Sequence, residues 1–121
     1  MPSTPQAPAW SCADGPYDDT LVLWGGSTRA GGTALMHRAL RAGLRHSANF
    51  AGNDLAAAGA LPVLRKAGIR VPEDVSIASY DGLSLAVDLH PALTSVHLPH
   101  EEIGRTAVRV APPHPPGRFG P

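Results

Sequence analysis

The sequence predicts an α/β fold built on a parallel sheet. Three observations predict it: short apolar runs that end in glycine or turn residues, stretches of helical spacing between them, and a regular alternation of the two over about residues 20–110. A chain of 121 residues allows one small domain, and it buries a core only if most of that length folds.

The first element is "TLVLWGG" (20–26), an apolar run closed by glycines, which reads as a strand. "GGTALMHRALRAG" reads as a helix, with Ala34, Leu35, Ala39 and Leu40 at helical spacing and Gly43 as its stop. "SANFAGND" reads as a short strand weakened by Asn49. "DLAAAGALPVLRKAG" puts Leu55, Ala58, Leu61 and Leu64 on one helical face, with Lys66 near the end and Gly68 just beyond it. Pro62 inside that stretch predicts a kink. In "VPEDVSIASYDG", Pro72 turns the chain into the apolar run Val75–Ala78, and Asp81-Gly82 closes it, so a buried strand is expected there. An irregular segment "GLSLAVDLH" follows, then a strand in "ALTSVHL" entered through Pro91. The last element is a helix in "HEEIGRTAVRV", with two acids in its first turn. Residues 1–19 are rich in Pro, Ser, Ala and Gly without period, and the tail 111–121 holds five prolines; both are expected to be disordered.

Composition narrows the function classes. Ten basic and ten acidic residues give no net charge, which argues against a nucleic-acid or membrane surface. The single cysteine, Cys12, has no internal disulfide partner and no metal-ligand spacing around it. The N-terminal residues lack the basic and apolar regions of a secretory signal, and no run reaches the ~18 apolar residues of a membrane span. A cytoplasmic, non-enzymatic chain without cofactor is the expectation.

Enzyme-like motifs are incomplete. In "GGSTRAGGT" Gly26, Gly31 and Thr33 fit a phosphate loop, but Gly32 stands where its lysine would reach the phosphates. "HLPHEE" is not the zinc motif H-E-x-x-H, and no serine sits in a G-x-S-x-G elbow. A strand end followed by a helix N-terminus accounts for His97, His100, Glu101 and Glu102.

The constructive signal is convergence. In parallel sheets ligands bind beyond the carboxyl ends of the strands. Three such ends, "WGGSTRAGG", "GNDLA" and "SYDG", are polar or glycine-rich and are expected at one edge.

The stretch "SANFAGNDLAAAGALPVLRKAGIRVPEDVSIASYDGLSLAVDLHPALTSVHLPHEEIGRTAV" closely resembles the carboxyl-terminal part of the effector domain in LacI/GalR-type transcriptional regulators. The shared pattern is a strand ending in Asn-Asp, a helix "LxAxGALxxLRxAG", "VPEDVSIxGxD", "PxLTTVxxP" and a helix "xExGRxAV"; "GGSTRAGGTALMHRAL" is similar to the segment before it. The resemblance implies a partial, incomplete lobe of a periplasmic-binding-protein-like effector domain over 20–110. It implies a sugar or nucleoside-like effector in a cleft, operator DNA as a partner only in a full-length regulator with a helix-turn-helix head, and a homodimer in which the helix over 55–67 could take part. By position, Asn53 and Asp81 match effector contacts, and Ser27 stands where the family usually carries an aromatic. Their chemistry agrees, since a carboxylate accepts from two hydroxyls while an amide donates and accepts at once. Cap and turn roles compete: either residue of the Asn53-Asp54 pair could cap a helix, and Asp81 could serve only the turn before Gly82. The runner-up expectations are a lobe of a transport-type sugar-binding protein and a fragment that retains only dimerisation.

Overall fold

A computed structural model describes residues 18–43 and 46–113. After a 3₁₀ turn at Asp19–Leu21, the elements are α1 (Arg29–Arg41), β1 (Ala48–Phe50), α2 (Asp54–Lys66), β2 (Ser76–Asp81), α3 (Leu85–Asp88), β3 (Thr94–His97) and α4 (His100–Val110). The strands form one parallel sheet in the order β1-β2-β3, with Phe50 opposite Ala78 and Asp81 opposite His97. The parallel α/β reading therefore holds, with one correction and one addition.

First, residues 20–26 add no strand to the sheet. Val22 to Gly26 take no regular secondary structure; Leu23 packs on the core, but Trp24 is exposed. A side chain at Gly25 would press into Leu35 of α1, so the segment lies against a helix. An apolar run becomes a strand only where a neighbour completes its ladder. Second, α2 runs through Pro62 as far as Lys66. Burial of Ala57, Leu61, Val63 and Leu64 outweighs the ~3 kcal/mol that an interior proline costs.

The helix ends follow local chemistry. The Thr28 hydroxyl accepts from the Gly31 N–H at 3.0 Å and starts α1. Beyond α2, Gly68 adopts φ +76°, its N–H donates to the Arg65 carbonyl at 3.1 Å, and the Ile69 N–H donates to the Leu64 carbonyl at 3.0 Å. That is the double bond of a Schellman stop. In the turn into β2, Arg70 grips Asp74 through both carboxylate oxygens, at 3.0 and 2.8 Å. The hydrogen bonds from Arg70 hold Asp74 down at a pKa of about 2.

The core lies where α2 packs against α1 and β2. It contains Met36, Ala39, Ala57, Ala60, Leu61, Val63, Leu64 and Ile77. On α1 the inward residues are Gly32, Met36 and Ala39, whereas Ala34 faces solvent. Gly32 and Gly59 let the two backbones touch: an added Cβ would overlap the Ala56 carbonyl in one case and the Arg29 carbonyl in the other. The Thr33 hydroxyl bonds across the same contact to the Gly59 carbonyl at 2.9 Å. Asn49 points inward in register with Ile77, and its amide nitrogen is buried without a hydrogen-bond partner, a destabilising feature of β1.

α4 differs from the other long helices in having no buried residue, although Ile103, Ala107 and Val110 share one face. An isolated helix of this length is marginal in water. Its amides are expected to exchange hydrogen with protection factors below about ten, while those of α2 approach the global value. Equal protection of the two helices in an exchange experiment would refute this.

Most of 1–19 and 111–121, the two segments expected to be disordered, lies outside the described residues. Among the described residues no helix is long and apolar enough to cross a membrane.

Candidate functional site

The parallel order brings the carboxyl ends of β1, β2 and β3 to one edge of the sheet. Asn53 follows β1 there, Asp81 ends β2, and His97 ends β3. The loop before α1 joins them, because the Asn53 amide donates to the Ser27 carbonyl at 2.6 Å. Ser27 and Asn53 are thus in direct contact, and Asp81 closes the adjacent strand.

Asn53 is the N-cap of α2: its Oδ1 accepts from the Ala56 N–H at 2.9 Å. Of the two roles open to the Asn-Asp pair, the cap belongs to Asn53. With one bond made by each end of the amide, it keeps one N–H and one lone pair for a further contact. The Ser27 side chain is exposed.

Asp81 has an unusual backbone, with φ +143°, the sole positive φ outside glycine among the described residues. Such a conformation is strained and persists where the surroundings impose it. Two groups from beyond β3 hold its carbonyl: the Leu98 N–H at 3.1 Å and His100 Nε2, donating, at 2.9 Å. The Asp81 carboxylate lies 3.5 Å from the same nitrogen, and its side chain is 28 % exposed. Gly82 follows at φ +74°, packed so closely that an added Cβ would sit 2.7 Å from His97 Cα.

Behind this edge is a residue that sequence reasoning took only as a possible cap. Asp54 is fully buried. Its Oδ1 accepts from the hydroxyls of Ser79 and Ser95, both at 2.5 Å, and its Oδ2 accepts from the Leu83 N–H at 2.7 Å. Burial alone would raise its pKa, but the bonds from Ser79, Ser95 and Leu83, with the Gly82 N–H close by, outweigh it and hold the carboxyl below the usual range. Asp54, Ser79 and Ser95 come from α2, β2 and β3. No spacing links them in sequence, and only the inward turn of alternate strand residues brings the two serines onto one carboxylate. His100 was also missed, having been read as part of a helix start.

A groove of about 720 Å³ runs beside α4 between His97, His100, Arg105 and Arg109, and one of about 460 Å³ lies near Arg65, Arg70 and His90. Ser27, Asn53 and Asp81 line neither, although His97 and His100 of the first lie against Gly82 and Asp81. No cluster of three or more histidine, cysteine or acidic side chains among the described residues could hold a metal ion.

Comparison with known proteins gives a consistent family. The pattern of the periplasmic binding protein-like domain matches residues 10–112. The HTH-type transcriptional regulator CelR of Thermobifida fusca is 43% identical over 94 residues, 78% of this chain and 28% of CelR. The HTH-type transcriptional repressor PurR of Yersinia pestis is 37% identical over 92 residues, 76% of this chain and 27% of the repressor. Among solved structures, a CelR–cellobiose complex superposes with a TM-score of 0.80 at 41% identity, over 84% of this chain and 31% of that one. The chain therefore spans under a third of the length of these relatives, which are transcriptional regulators, and it belongs to the periplasmic binding protein-like domain family.

Proposed function

We propose that this chain is part of the sensing module of a transcriptional regulator and that it takes up a hydroxyl-rich small molecule, a sugar or nucleoside, at the carboxyl edge of its sheet. Asp81 accepts from the effector's hydroxyls, with Asn53 and Ser27 beside it. The observation that carries this reading is the Asp81 backbone: a part-exposed carboxylate held at positive φ at the end of the middle strand. Strain of that kind gathers at binding sites. The relatives are regulators and not enzymes, and one was solved with cellobiose, which supports a sugar. The effector acts by preferring one of two arrangements of the whole regulator, and that preference shifts operator affinity. Operator DNA and a homodimer belong to the complete regulator under this reading. The apolar residues of α2 are largely taken up inside the chain, where they face α1 and the sheet.

Calorimetric titration of the 121-residue chain with cellobiose, lactose, ribose and adenosine tests the reading. At least one should bind, and Asp81→Asn should weaken it by about tenfold or more, because a charged acceptor is lost while asparagine still tolerates the backbone. Binding that ignores Asp81→Asn, or no binding by any of the four at millimolar concentration, would overturn it.

A further inference from the structure

We infer that Asp54 is a positioning residue for that site, setting the direction in which Asp81 presents its carboxylate. The inference rests on the effector reading above and adds what holds the contact in place. Two routes run from the buried Asp54 carboxylate to the backbone immediately after Asp81. Oδ2 takes the Leu83 N–H at 2.7 Å. Oδ1 takes the Ser95 hydroxyl at 2.5 Å, and that hydroxyl oxygen in turn accepts the Gly82 N–H at 3.0 Å. The amides of Gly82 and Leu83 are thus both tied to one charge, while the Asp81 carbonyl is held by Leu98 and His100. Held between these anchors, Asp81 takes its positive φ, and Gly82, which leaves no room for a Cβ, is the residue that can follow it. A binding group gains most when the groups behind it are themselves locked. Ser79 donates to the same Oδ1 at 2.5 Å but touches neither amide of the loop.

That asymmetry between two serines supplies the test. Ser79→Ala and Ser95→Ala each remove one hydroxyl from Asp54, so a purely structural network predicts similar effects on binding. Positioning predicts that, at temperatures where both variants are folded by circular dichroism, Ser95→Ala weakens the best ligand among cellobiose, lactose, ribose and adenosine by about tenfold, and Ser79→Ala by less than about twofold. Asp54→Asn, which puts an amide N–H₂ where one acceptor oxygen stood, should behave like Ser95→Ala or worse. In the ligand-free chain, Ser95→Ala should also move the Gly82 and Leu83 amide resonances in a ¹⁵N–¹H spectrum, while Ser79→Ala leaves them in place. Equal weakening by the two serine variants, or unchanged binding in Ser95→Ala, would overturn the inference and leave the effector reading standing. No binding by the parent chain overturns both.

Discussion

Gly32→Ala is expected to destabilise the protein by about 2–3 kcal/mol, even though alanine is the better helix former by about 1 kcal/mol. The sign is set by the contact of α1 with α2. The new methyl would fall on the Ala56 carbonyl, which is backbone and cannot rotate aside. The helices must then separate, and Met36, Ala39, Ala57 and Ala60 lose contact together. Gly59→Ala meets the Arg29 carbonyl from the opposite side and should act alike, whereas Gly104→Ala, with open space around it, should be neutral or slightly stabilising. Urea melts of the three variants decide the matter. If Gly32→Ala were as stable as the parent, the close packing of α1 on α2 would be wrong.

Asp54→Ala is expected to cost about 3–5 kcal/mol, comparable to the whole stability of a marginal domain. The loss is not that of one bond. The Ser79 and Ser95 hydroxyls and the Leu83 N–H would all lose their acceptor in a buried place. Asp54 also gives the parent chain an acid limit. Its folded pKa is depressed below the ordinary 3.8, so its contribution is complete above that value and fades as pH falls through the lower, folded one. Asp74, held at about 2 by Arg70, acts in the same sense and window, weakened by its exposure to solvent. Stability should therefore fall below about pH 4, and in Asp54→Ala that fall should be shallower. A parent chain as stable at pH 3 as at pH 7 would contradict the charged network.

Local signals in the sequence determined the elements and their order. Gly68 stops α2, the Asn53-Asp54 pair starts it, and the acids of α4 sit in its first turn; each is a short-range effect of backbone geometry or helix dipole, readable without knowing the neighbours. The parallel sheet and its polar carboxyl edge follow from the alternation of elements. Tertiary structure alone decided the rest. Whether 20–26 would be a strand depended on a partner for its ladder, and how far α2 would run past Pro62 depended on the surface that the helix buries. Which of Asn53 and Asp54 would cap, and what the other would do, was settled by two serines lying 25 and 41 residues further along the chain. A hydrogen bond has a range of ~3 Å in space and none in sequence, so the carboxylate behind the site became visible only once three elements had packed around it.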